Sequence, residues 1–477
     1  MRRSGRFVTA FHGGDDASWT AVEAICVIAI ATVVFLLPAI YNRFPIIFPD
    51  TGAYLKVAYG GYWTIDRSGF YGLLYQPIVR PSETAFGLWI VIAVQCAIVT
   101  AILVTVSRRL APTASPLAVG GLLVAAAVLT SLPWHAAQLM PDAFTGALIL
   151  TVWMAASRDV GEPGTPLLWL LTILLGLTHY THLPLMAAVG IVTIGCMAFT
   201  IAWREAAKRL LALTIALSAI VGAQVSANGL LLHRWTVSPL GSWFLFARLH
   251  EDGLIPRWLD AHCRKDGPKE LCAIRHTLPH DSQILLWAKN SPLHRYIHGE
   301  RGSPVTWHWA DMMGQATSGS IREQPLAFAS SIARGGARQF VTFETLDDLC
   351  PSKCSGQMPI DQRPNVSASG SRQVQNEIPK AAIRAIHTPV AVVGLLLMPF
   401  LFARAWKRRD WMAVGLLVAV ATGLLVNAAI GGGLSAVNAR YQSRVVWLAP
   451  FVAMLLLVRW RSGKPSDWEN RVGRAFA

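Results

Sequence analysis

The run AVEAICVIAIATVVFLLPAI, from Ala21 to Ile40, decides the fold class, because it carries one charge, Glu23, near its start. A helix rises about 1.5 Å per residue and the hydrocarbon core of a bilayer is about 30 Å thick, so a run of this length makes one crossing. Comparable runs recur at Phe86 to Val106 and Val390 to Phe402. Over the 477 residues, 53% are hydrophobic and 14% charged, well below the roughly 25% charged residues of an average soluble domain. The expectation is an all-α polytopic membrane protein with lipid as the solvent for much of its surface.

Working outward, apolar runs between charged or Pro/Gly-rich breaks predict ten spans, near 22–41, 86–106, 117–134, 140–157, 166–179, 183–202, 210–231, 387–403, 411–429 and 445–459. Residues 166–202 read as two spans split at Thr178-His179-Tyr180-Thr181-His182, since one helix of that length would reach about 55 Å. Short cytoplasmic loops collect Lys and Arg, which tests the count. With both termini inside, 18 of the 42 basic residues fall in inner segments, 6 in short outer loops and 18 in the long segment 232–386, which the rule does not weigh. The net charge of +15 is then largely a topology signal, and nucleic acid is not an expected partner. The first run follows a polar lead with Asp15 and Asp16 and has no A-x-A-like site after it, so it reads as a retained signal anchor.

This divides the chain into a seven-span module (1–231) with a long first outer loop (43–85), a soluble, mainly helical outer domain (232–386) and a three-span module with a cytoplasmic tail (387–477). In the outer domain Trp258, Leu259, Leu271, Ile274, Leu285, Leu286 and Trp287 are the expected apolar anchors, and 351–380 reads as a long loop or mobile link. Its cysteines, Cys263, Cys272, Cys350 and Cys354, favour disulfides in an oxidising compartment over zinc, because no repeated CxxC is present. Four cysteines allow three pairings, of which Cys263 with Cys272 and Cys350 with Cys354 is the most local. His308, between Trp307 and Trp309, is either a ligand contact or part of a packed surface.

Candidate chemistry gathers on the expected outer side. The first outer loop opens Phe48-Pro49-Asp50-Thr51-Gly52-Ala53-Tyr54-Leu55 and continues Asp66-Arg67-Ser68-Gly69-Phe70-Tyr71, aromatic and apolar with few charges, which suits helices in the membrane interface. Met140-Pro141-Asp142 opens the fourth span, so Asp50 and Asp142 both follow proline at one face of the membrane. Each could instead be an ordinary helix start. His135 ends the third span, and His179 and His182 flank the break between the fifth and sixth. In the last outer loop Gly431-Gly432-Gly433 allows close backbone approach, and Arg440 and Arg444 share a helix face. Two guanidiniums at the boundary suit a phosphate or pyrophosphate, or simply snorkel to the interface. Gln95, Gln224, Asn228 and Asn427 could line a path through the spans, but no Asp, Lys or Arg sits mid-span. That disfavours an ion-coupled carrier.

An acid in a long first outer loop, a second acid between spans three and four, and basic residues in a late outer loop resemble the type C (GT-C) glycosyltransferase superfamily, which includes protein O-mannosyltransferases and bacterial lipid A aminoarabinose transferases. The resemblance rests on the first four spans. It implies a GT-C-like fold in which Asp50 is the base and Asp142 belongs to the active site, in some members as a metal ligand. A divalent metal is therefore an open expectation, although no Asp-x-Asp or Asp-Glu pair is present. Arg440 and Arg444 would bind the donor phosphate, with Arg67, Tyr54, His135, His179 and His182 as acceptor or secondary contacts. The implied partners are a polyprenyl-phosphate-linked sugar donor and an envelope glycan, lipid or protein acceptor, at the periplasmic face of a bacterial inner membrane. The prolines of the superfamily's Arg-Pro-Pro-Gly-Tyr-like segment are missing from Asp66–Tyr71, and 232–386 carries no β-trefoil repeat. An O-antigen ligase or polymerase-like enzyme, a transporter or flippase, and an envelope assembly protein remain alternatives.

Overall fold

The computed structural model describes residues 19–199, 202–294, 296, 303–347, 349 and 366–461. Among them the protein is all-helical, with 74% helix and no strand. The first part runs α1 (Ala21–Asn42), α2 (Thr51–Ala58), α3 (Phe70–Val79), α4 (Phe86–Leu110), α5 (Pro116–Leu129), α6 (Leu132–Ala136), α7 (Asp142–Ser157), α8 (Thr165–Leu177), α9 (His182–Met197) and α10 (Trp203–Leu232). A middle group follows: α11 (Gly241–Glu251), α12 (Leu254–His262), α13 (Lys269–Ile274), α14 (Ser282–Trp287), α15 (Pro304–Glu323) and α16 (Pro325–Val341). The chain returns to the bundle with α17 (Lys380–Lys407), α18 (Trp411–Ala428), a π turn (Ala429–Gly433), α19 (Ala439–Val446) and α20 (Leu448–Arg461).

Among the described residues, six helices are long and apolar enough to cross a membrane: α1, α4, α10, α17, α18 with its π turn, and the arm from Ala439 to Arg461. Shorter apolar helices, α5, α7, α8 and α9, stand at the other four expected positions. Local chemistry sets the ends. Thr20 caps α1 while Glu23 reaches back to the cap in a capping box, which accounts for the one acid of the opening run. Asp410 caps α18 by accepting from the Ala413 N–H. Ile25, Leu37, Leu211, Ile215, Leu396 and Phe400 stay exposed on α1, α10 and α17, which is compatible with a lipid solvent.

Helices α11 to α15 close on a core of their own that includes Trp243, Phe246, Leu259, Leu271 and Met313. Cys263 and Cys272 form a disulfide beside it; Cys350 and Cys354 lie outside the described residues. Two features differ from expectation. Trp287 is 38% exposed and not an anchor of that core. The described end of the expected loop, 366–380, packs against the bundle, burying Val366, Ala368, Val374 and Ile378 in its main core. Its Ser, Gln and Asn content signals a loop, and Ser367, Ser369, Gln375 and Asn376 are exposed, but Ser371 and Gln373 turn inward, where they meet partners. His308 is exposed and sits 3.4 Å from Glu270.

Candidate functional site

Two loops far apart in sequence are laid side by side. Ile46 pairs with Gln138 in a parallel bridge, in which the Ile46 N–H donates to the Ala137 carbonyl at 3.1 Å and the Leu139 N–H to the Ile46 carbonyl at 2.9 Å. Four residues on from each partner stand Asp50 and Asp142, each after a proline. The Thr51 hydroxyl adds a bond to the Leu139 carbonyl at 3.1 Å. A third segment locks the first loop: the Ile47 N–H donates to Gln373 Oε1 at 3.0 Å, Gln373 Nε2 donates to the Ile47 carbonyl at 2.5 Å, and the Gln373 N–H donates to Asn42 Oδ1 at 2.7 Å. The backbone therefore fixes the separation of the two acids before their side chains contribute.

Neither acid caps its own helix. Asp50 stands at the N-cap of α2 and Asp142 opens α7, and neither helix has a side-chain cap bond. Their carboxylates meet arginines instead. Arg67 Nη1 lies 2.6 Å from Asp50 Oδ1 and its Nη2 lies 2.9 Å from Asp66. Arg440 Nη1 sits between the acids, 3.5 Å from Asp50 Oδ2 and 3.7 Å from Asp142 Oδ2. Arg444 Nη1 donates to Asp142 Oδ1 at 2.7 Å, and its Nε and Nη2 both donate to Asn427 Oδ1. Three carboxylates and three guanidiniums thus alternate, from Asp66 through Arg67, Asp50, Arg440 and Asp142 to Arg444. Asp142 and Arg444 are 1% and 2% exposed, and charges so buried are costly unless paired.

The pairing is incomplete at the centre. Asp142 Oδ2, Arg440 Nε and Arg440 Nη1 are buried without a hydrogen bond, although the Arg440 guanidinium lies over the Phe48 ring at 3.8 Å. Burial opposes the charge of Arg67, but Asp50 and Asp66 outweigh it and hold its pKa well above the ordinary arginine value. Burial likewise pushes the Tyr54 phenol above its usual range, so it stays protonated.

This chain of charges borders a cavity of about 1220 Å³. Asp50, Asp66, Arg67, Arg440 and Arg444 line it while Asp142 does not, and Gln283, Trp287 and Lys289 of the middle segment line it too, with Ile430, Leu434, Leu346 and Leu349 supplying apolar surface. Tyr54 and His179 also line it. Two expected contacts do not. His135 binds the Ser443 hydroxyl at 3.1 Å behind α19, and His182 binds Thr145 at 3.0 Å and the Leu175 carbonyl at 2.8 Å between α7, α8 and α9. His182 has both ring nitrogens engaged, whereas His135 keeps its Nδ1 buried without a hydrogen bond.

No family model, curated protein or solved structure matches this chain.

The donor set does not fit a divalent metal. Asp142 Oδ1 accepts from one guanidinium and Oδ2 faces another, so a cation there would meet two positive neighbours. Among the described residues no three His, Cys, Asp or Glu side chains are grouped to hold a metal ion. Sequence reasoning missed Gln373, Lys380, Arg384 and the cavity face of Trp287. Asn427 was visible as a buried amide in an apolar run, but nothing local tied it to Arg444.

Proposed function

We propose that the protein is a membrane glycosyltransferase that moves a sugar from a polyprenyl-phosphate-linked donor to an envelope acceptor, with inversion. In this reading the bundle crosses a bacterial inner membrane ten times with both termini inside, and the cavity opens on the periplasmic side. The observation that supports it most is the meeting of Asp50, Arg67 and Arg440 at a cavity with both polar and apolar lining, with Asp142 buried behind Arg440. An amphiphilic donor needs both kinds of wall.

Asp50 is 26% exposed, more open than Asp66 or Asp142, and accepts the proton of the acceptor hydroxyl. The acceptor oxygen attacks the anomeric carbon from the face opposite the phosphate. The bond from that carbon to the phosphate oxygen breaks, and its electron pair leaves with the polyprenyl phosphate, so configuration inverts. Arg440, whose Nε and Nη1 have no hydrogen bond, steadies the leaving phosphate. Arg444 is fully engaged with Asp142 and Asn427, so its part is to hold Asp142 in place. A positioned base contributes about 10²- to 10⁴-fold in rate, and one well-aimed group for developing charge about 10²- to 10³-fold.

Glycolipid analysis of a strain lacking the protein tests this reading. One lipid-linked sugar should accumulate and one envelope product should disappear. The Asp50→Asn chain, inserted normally, should fail to restore that product; full restoration would remove Asp50 from the chemistry.

A further inference from the structure

We propose that the part of the cavity lined by the middle helices is a saccharide-binding subsite with Trp287 as its stacking platform. The inference rests on the reading of the cavity as a sugar-transfer site and adds where the sugar ring is held. Trp287 ends α14 and keeps 38% of its surface open, whereas Trp243, Trp258 and Trp309 of the same group of helices are buried. It lines the cavity. Phe244 supports it from one side, with ring centroids 6.2 Å apart and planes tilted by 48°, so the indole is braced as a wall.

The groups around it match a sugar ring. A pyranose carries C–H bonds on its faces and hydroxyls around its edge. The faces lie on an aromatic ring, whose electron-rich surface attracts the polarised C–H groups. The edge needs polar side chains that donate and accept, and Gln283, on the same short helix as Trp287, lines the cavity with Ser238 and His294. Lys289 joins them as a donor. A polyprenyl chain needs none of these polar groups and finds its apolar surface at Ile430, Leu434, Leu346 and Leu349. A phosphate is matched by Arg67 and Arg440, which also line the cavity.

The full chain in lipid nanodiscs would be titrated with the methyl glycosides of glucose, mannose, galactose and N-acetylglucosamine, and with their trisaccharides, read by saturation-transfer difference NMR. At least one should bind, with Trp287→Ala weakening it about tenfold and Trp287→Phe no more than about threefold. Gln283→Leu, which leaves the stacking face intact, should weaken it as well. His308→Ala, on the exposed side of the same helices, should change nothing. An unchanged unfolding temperature and an intact Cys263–Cys272 bridge show that each variant is folded. Failure of every glycoside to bind, equal binding by folded Trp287→Ala, or equal loss with Trp287→Phe and Trp287→Ala would overturn the proposal. Transfer itself is scored separately, by product formation with Asp50→Asn. Saccharide binding through Trp287 with transfer untouched by that substitution would refute the transfer reading and leave the subsite standing.

Discussion

The two ends of the helical bundle use the same residue types for opposite ends. At one, Arg67, Arg440 and Arg444 alternate with carboxylates beside a large cavity, and Arg440 keeps two nitrogens without hydrogen bonds. At the other, Arg109 and Arg209 donate to the carbonyls of Ser157 and Ala156 at the C-terminal end of α7, and Arg459 donates to the carbonyl of Leu110 at the end of α4. Arg459 also holds Asp410, at 2.6 and 2.9 Å. Helix C-termini present unpaired carbonyls and partial negative charge, so arginines there act as caps. The arginines at the helix ends are spent on carbonyls, whereas Arg440 lies beside a cavity with two nitrogens that make no hydrogen bond.

Substitutions can break that contrast. The largest effect is expected from Arg440→Met, which should lower transfer about 10²- to 10³-fold while the unfolding temperature of the purified protein stays close to wild type. Arg459→Ala should do the reverse, since it leaves Asp410 buried without its partner and should cost about 3–5 kcal/mol of stability. Differential scanning calorimetry in detergent, run beside transfer assays on the same preparations, reads both; if the two variants lose stability equally, the ends do not differ in kind.

The junction between the middle helices and the bundle gives a smaller effect. Gly335 of α16 meets Gly432 of the π turn so closely that a Cβ on Gly432 would come within 2.2 Å of the Gly335 carbonyl oxygen. Gly432→Ala should therefore push α16 off the turn that leads into Arg440, at about 1–3 kcal/mol. Hydrogen exchange in α16 should rise with it; unchanged protection would show that the contact yields freely.

The smallest effect is expected away from both ends. Burial lowers the pKa of His250, in the core of the middle helices, to about 4. Because the folded value lies below the unfolded one, its contribution is full above about pH 6.5 and fades as pH falls toward 4. Between pH 7.5 and 5.5 the loss should be about 1 kcal/mol, and His250→Gln should flatten that slope in thermal melts. An identical slope in the variant would assign the acid sensitivity elsewhere.

Much of the fold was legible because its signals are local. An apolar helix stands at each of the ten expected positions, since each run of apolar residues declares its own solvent. The break at His179 and the Cys263–Cys272 bridge are local too. The proline before each acid marked Asp50 and Asp142 as a matched pair, but not as neighbours. Segment 366–380 misled for the same reason: its polar composition reports a loop, and only the partners of Gln373 reveal that the loop is buried.

By itself the sequence determined the helical class, the apolar runs and the residue types available at each loop, because hydropathy and capping act over a few turns. Only the tertiary structure decided which of those residues meet. The bridge between Ile46 and Gln138 brings the acids together, Arg440 falls between them, His135 and His182 turn to packing, and Trp287 opens into the cavity. Contacts between segments hundreds of residues apart depend on how helices and loops pack in three dimensions, and no spacing along the chain encodes that distance.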